Sequence, residues 1–583
     1  MKKIVSLTLL AAVLFMGYTA TACTNFLFTK GATQDGSTMI TYAADSHTLY
    51  GELYYRKVAD YPAGTMFMLY DWDSGRQLFE IPQVAHTYSV VGNINECQVA
   101  IGETTYGGRE ECWGATGIDY GSLIYVTLQR ASNAREAIKI MTQLAETWGY
   151  CSEGESFSIC DPNEVWVMDF IGKGHAEYDT VKGKPVLKKQ YKGLVEKGAV
   201  WVARRIPDGY VCGHANQARI TTFPQAVKKS KTHEAITSKE WQYLNNPEVE
   251  CIYAYDVIAW ARAKGWYTGE DKDFSFADTY APLTFSGVRG CDARVYAMFH
   301  RVNPSLMEQY EDYAMGWNNA NRMPLWIKPD HKVSLQEVMN LMRDHYEGTK
   351  MDMTQDVGAG PFACPYRWRP MNWECDGKNY VHERATSTQQ TGFSFVAQCR
   401  SWLPNKVGGI IWFGVDDTYS TCYCPMYCGI TDIPLCFRQG NGDMLTYSET
   451  SAFWLFNRVT NFVYSRYKDM IVDLQKVQYS LEKGFINQVL AFDNDVKNIS
   501  DDAALTAKLN AFSGKQAKVM MDEWNKLDKY LLVKYIDGNV KKEENGKFKR
   551  TETGMAEFPA QPSYPQWFYK QIVKDHGDIL IEK

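Results

Sequence analysis

The sequence predicts an α+β fold with a helical C-terminal region. Three observations carry that expectation. Short segments of period-two alternation open the chain, a pair of helical segments interrupts them once, and a sustained helical pattern fills the C-terminal end. Strands on both sides of a single helical pair place helices against a largely antiparallel sheet, not in alternating βαβ units.

Phe26-Leu27-Phe28, a turn at Gln34-Asp35-Gly36-Ser37, and Thr38-Met39-Ile40-Thr41-Tyr42 form a hairpin signal. That hairpin would return Asp45 to the neighbourhood of Cys23. Residues 87–91 and 98–102 read as further strands. Helical spacing covers 120–130 and 134–147, with Ser132 and Asn133 as caps and Glu136 following. Strands resume at 156–159, 165–170 and 200–204. Residues 173–197, rich in Lys and Gly, read as an exposed excursion, 225–280 as a polar helical excursion, and 393–433 as strand-rich. From Thr450 a long amphipathic helix is expected to about Phe485, and a second over 501–530. The expected organisation is a core over 23–440 and a helical region over 441–583 packed on it.

The first residues read as a secretory signal: Lys2 and Lys3, then a nearly unbroken apolar run over 4–16, then Ala20-Thr21-Ala22 as an A-x-A cleavage site. Cleavage after Ala22 would make Cys23 the first residue of an exported, periplasmic or secreted chain. A thiol and a free α-amine would then share one residue, joining nucleophile and general base. Two alternatives stay open. Cys23 would carry lipid in a bacterial lipoprotein, although Ala20 stands where such signals usually have Leu, or it is a structural cysteine near the cut.

An ordinary apolar content of 45% and a net charge of −6 describe a globular protein with no electrostatic reason to bind nucleic acid or an anionic membrane. No apolar run after the signal is long enough to span a bilayer. Fifteen cysteines, an odd number, leave at least one thiol over if the others pair. Cys422-x-Cys424-x-x-x-Cys428 matches no standard zinc spacing and has no close His to complete it. No metal or cofactor is expected.

Cys23-Thr24-Asn25, Asp35-Gly36-Ser37-Thr38-Met39-Ile40 and Asp45-Ser46 resemble the opening of the N-terminal-nucleophile cysteine dipeptidases. These are the dipeptidase A and secernin-like peptidases, relatives of bile-salt hydrolases and penicillin V acylases. The likeness continues at Gly92-Asn93-Ile94-Asn95-Glu96, Gly102-Glu103-Thr104, Gly213-His214-Ala215-Asn216-Gln217-Ala218-Arg219-Ile220, Leu403-Pro404, 408–412 and Ser451-Ala452-Phe453-Trp454. It implies a four-layer αββα sandwich of two stacked sheets and hydrolysis of dipeptides.

Carried onto this chain, the resemblance makes Cys23 the nucleophile. An α-amine titrating at about 7.7–8.0 suits a thiol titrating at about 8.5, and no separate His is then required. Asn95 and Asn216 become candidate oxyanion donors, and Asp45 an acid that holds the amine or orients the thiol. Many relatives carry Arg three residues before this Asp; here it is Tyr42, which donates a hydrogen bond but brings no charge. For Arg294 two readings stay open: a cation supplied to the site, as a corresponding Arg supplies it in the acylase branch, or a strand-edge ion pair. His214, two residues from Asn216, would share its face in a strand and reads as a packed or substrate-side residue. Glu103 and Arg109 flank the Gly107-Gly108 turn as a candidate substrate rim. The expected function is an exported thiol hydrolase of dipeptides. The alternatives are a related amidase of acylated amino acids or conjugated bile acids, and a peptide-binding envelope lipoprotein.

Overall fold

The computed structural model describes residues 23–114, 116–227 and 232–583; the expected signal over 1–22 lies outside them. Two sheets dominate. One has seven strands in the order Trp326–Ile327, Val211–His214, Asn25–Phe28, Thr38–Asp45, Thr391–Cys399, Gly409–Val415, Cys424–Tyr427, all antiparallel. The other runs Ala235–Thr237, Cys251–Tyr253, Ala199–Arg205, Val165–Gly172, Gly154–Cys160, Ala100–Gly107, Ile94–Asn95, Val90–Val91, Tyr55–Arg56. Only its first pair is parallel. The mixed α+β class read from the sequence is therefore observed.

The opening hairpin forms as its turn chemistry dictates. Gly36 takes φ 79°, and Asp35 Oδ1 accepts from both the backbone N–H and the hydroxyl of Ser37 at 3.0 and 2.7 Å. Leu27 then pairs with Ile40, and Thr24 bridges Ala43. Every residue of Thr38–Asp45 is buried, as a strand paired on both sides and covered on both faces must be.

The sheets face each other through a layer that includes hydrogen-bonded polar groups. Thr38 donates to the Asp161 carbonyl at 2.6 Å, and Asn25 donates to Ser158 at 3.2 Å. Gly102 permits this approach, since a Cβ there would sit 2.9 Å from the Asn25 amide. Helices Tyr120–Leu128 and Ala134–Trp148 cover the nine-stranded sheet, capped by Asp119 and Asn133. Helices Ala452–Ser465, Tyr467–Val496 and Asp502–Tyr535 pack against one another and against the far edge of the seven-stranded sheet. Phe456 stacks on Trp524 at 4.3 Å to join the first and last of these. Among the described residues no helix is long and apolar enough to cross a membrane.

The helical excursion over 225–280 requires correction. Its described residues add two three-residue strands to the sheet edge and hold two short α-helices, Val257–Ala263 and Phe276–Tyr280, with 3-10 turns at Trp241–Tyr243 and Asp271–Asp273. Strands of three residues are too short to show a period, so the surrounding polarity dominated the reading. The 173–197 segment does carry an exposed hairpin, Tyr178–Val181 with Lys184–Leu187. All fifteen cysteines are thiols, and Cys160 and Cys399 face each other across the sheets at 3.9 Å.

Candidate active site

Cys23 stands two residues before the strand Asn25–Phe28 of the seven-stranded sheet and lines a cavity of about 580 Å³. The central strand supplies Tyr42 and Asp45, and Ala100–Gly107 of the facing sheet supplies Glu103 and Thr105. The Cys23 sulfur lies 3.6 Å from the Tyr42 hydroxyl and 3.6 Å from Glu103 Oε1. Tyr42 donates to the same carboxylate oxygen at 2.5 Å. Phe393 and Phe395 meet the Tyr42 ring edge-on and fix its position.

Negative charge surrounds the thiol. Burial first, then Glu103 and Asp45, push its pKa well up, against hydrogen bonding from the Asp45 backbone and Tyr42. At neutral pH the resting group is therefore a thiol. Burial also lifts the Asp45 carboxyl above its usual range, while Arg384 and Thr391 pull it down. Arg384 and Thr391 each donate to Asp45 at 2.6 Å. Glu103 is raised by burial despite the Tyr42 bond. Burial and Glu103 together hold the neighbouring Glu155 protonated well above the carboxylate range.

A second network locks the backbone behind the sulfur. Arg294, fully buried, donates through Nη1 to the Cys23 carbonyl and to the Thr24 hydroxyl, both at 2.7 Å. Its Nη2 donates to Asn216 Oδ1 at 2.8 Å. Asn216 in turn donates to the Thr105 carbonyl at 2.5 Å. Asn216 sits at φ 55°, a left-handed conformation that Asn tolerates better than most residues. Arg294 lies on the helix Ala293–Val302, not on a strand edge, after a π-helical turn over Gly287–Asp292. It touches Cys23 itself and does not line the cavity, so it positions the thiol's backbone where a substrate ligand was expected.

Asn216, like Arg294, does not line the cavity, and three more expected residues lie elsewhere. The Asn95 amide donates to the Leu128 and Ala131 carbonyls, and its oxygen accepts from the Cys97 and Val99 N–H groups. Those bonds tie a turn to a helix end, and Asn93, two residues earlier, lines the cavity instead. Arg109 donates to the Thr279 carbonyl at 2.6 Å and lies over the Trp266 ring, away from the cavity. His214 is fully buried between the sheets, 2.7 Å from both Thr104 and Ser158, and burial pushes its pKa down to about 3. The strand ends at His214, so Asn216 leaves on its own backbone angle and the two share no face.

Sequence reading missed Arg384, Glu155, Asp73 and Tyr120. Arg384 meets Asp45 across 339 residues, a separation that no local pattern reports. Glu155 had a signal: it pairs opposite Thr105, placing it diagonally from Glu103 on the same face.

With this geometry in view, residues 22–480 match peptidase family C69. The chain is 22% identical over 514 residues to a "Probable dipeptidase" of Latilactobacillus sakei, covering 84% of this chain and 90% of that one. It is 21% identical over 542 residues to a "Probable dipeptidase B" of Streptococcus pyogenes serotype M1, covering 90% and 93%. A "Probable dipeptidase" of Salmonella dublin is 22% identical over 437 residues, covering 70% and 81%. A family match over most of its length, with the cysteine at its start opening into a cavity, makes this chain a member of peptidase family C69.

Proposed function

We propose that the protein is an exported dipeptidase, periplasmic or secreted, whose Cys23 attacks the peptide carbonyl after signal removal frees its α-amine. The amine takes the thiol proton as sulfur attacks the carbonyl carbon. It returns that proton to the leaving amine, and the acyl group remains on sulfur as a thioester. The amine then activates a water molecule that hydrolyses the thioester and restores the thiol. Asn93, which lines the cavity, is the amide placed for the oxyanion, a donor whose loss typically costs about 3 kcal/mol in the transition state. Two facing sheets with helices outside support the N-terminal-nucleophile sandwich.

The observation that carries the reading is the Cys23 sulfur at the wall of a 580 Å³ cavity, within the range of small-ligand sites. Among the described residues the sulfur's hydrogen-bond neighbours are Tyr42 and Glu103, with no histidine among them. The relatives' names support dipeptides as substrates. A panel of dipeptides and N-acyl amino acids tests this: dipeptides should be cleaved, with activity lost in Cys23→Ala. Turnover of acyl amides alone would favour the acylase alternative.

A further inference from the structure

The cavity beside Cys23 is electrically one-sided. Asp45, Glu52, Asp73 and Glu103 line it, and among the described residues no lysine or arginine does. Asp45 is answered by Arg384, which donates to it at 2.6 Å. Glu103 has no such cation among the described residues: it is 1% exposed, its Oε1 accepts from Tyr42, and its other side-chain partner is the carboxyl of Glu155. Glu155, protonated in this setting, is its carboxyl partner. A proton shared by these two carboxyls would cancel one charge and leave the other. Asp73 adds a further carboxylate at the mouth, held by Tyr120 at 2.9 Å.

The position of Glu103 is as informative as its charge. In a peptide with a free N-terminus, the nitrogen of the first residue lies about 2.5 Å from that residue's carbonyl carbon. In an attacking geometry that carbon lies about 3–3.5 Å from the sulfur. An anion that holds the ammonium while the first peptide bond meets the thiol must therefore stand within a few ångströms of the sulfur. Glu103 Oε1 stands 3.6 Å away. An ammonium brings three N–H donors and the positive charge that this carboxyl pair lacks.

We propose that Glu103, assisted by Asp73, is the subsite for the substrate's α-ammonium group, and that it sets cleavage after the first residue. The proposal rests on the peptidase reading and adds the residues that measure the substrate's N-terminus. It predicts rejection of N-acylated and desamino analogues, because burying an unanswered carboxylate against an uncharged end forfeits a charge-assisted bond.

The test is calorimetric binding to the mature Cys23→Ala protein, which separates recognition from turnover. The probes are L-alanyl-L-alanine and its desamino analogue, N-propionyl-L-alanine. The dipeptide should bind about 30-fold more tightly, the range of a hydrogen bond to a charged group. Glu103→Gln in that background should shrink the preference to about threefold or less. Asp73→Asn, at the exposed mouth, should reduce it in part and provides a second reading should Glu103→Gln fold poorly. Equal binding of the two probes, or a preference that survives both substitutions, overturns the proposal. Wild-type hydrolysis of the dipeptide is scored separately: its absence removes the peptidase reading while the binding preference stands or falls alone. Equal losses of turnover on both probes in wild-type-background Glu103→Gln, with the binding preference intact, would instead assign Glu103 to the thiol.

Discussion

Arg294 Nη1 lies 2.7 Å from the main-chain oxygen of Cys23, across 271 residues of sequence. The same guanidinium holds Thr24 and Asn216, so one buried side chain fixes the backbone of the proposed nucleophile and the loop at Asn216 together. The planar fork of arginine reaches these acceptors at once, which a lysine ammonium does not reproduce.

Arg294→Lys should therefore lower kcat about 100-fold while KM stays within about threefold, since small misplacements of reacting groups carry losses of that order. Steady-state kinetics on a dipeptide checks this. A raised KM with unchanged kcat would make Arg294 a substrate ligand after all.

The acidic surroundings of Cys23 predict a sluggish thiol. Because Glu103 and burial both favour the protonated sulfur, iodoacetamide should modify Cys23 slowly at pH 8. Removing a neighbouring negative charge lowers a thiol pKa and increases the thiolate fraction. Glu103→Gln should thus speed alkylation of Cys23 by about threefold or more, read by peptide mass spectrometry. An unchanged or slower rate would show that Glu103 does not act on the sulfur's charge.

His214 predicts a stability profile. It is neutral in the fold down to about pH 3, whereas in the unfolded chain it takes a proton below about pH 6.5. As pH falls through that interval the unfolded state binds more protons, so this contribution is present above about pH 6.5 and is lost toward pH 3. Its slope is at most about 1.4 kcal/mol per pH unit. His214→Gln should lower stability at pH 7 but flatten the acid limb by up to that slope in urea denaturation series. Parallel limbs in the two proteins would contradict a neutral buried imidazole.

Local chemistry was legible in the sequence where it acted over a few residues. The Asp35-Gly36 turn, the Asn133 cap and the alternation through Met39 and Ile40 each announced their element. The Glu103–Tyr42–Cys23 cluster is only half legible, because its residues lie in separate motifs and meet only where the two sheets stack. Asn95 and Asn93 sit in one motif, and only the hairpin geometry puts Asn93 at the cavity and Asn95 in a turn. Arg384 was invisible: nothing around His382 and Glu383 points to Asp45, and the pairing exists only once the chain has folded.

The account turns on Cys23 supplying both sulfur and base, and one measurement addresses that directly. The protein beginning at Cys23 with an unmodified amine is to be compared with the same protein carrying one additional alanine before Cys23, each verified by intact mass. The amine-terminal form should hydrolyse dipeptides, and the extended form should retain under about 1% of that rate, its base having become an amide. Full activity in the extended protein would contradict the shared-residue mechanism.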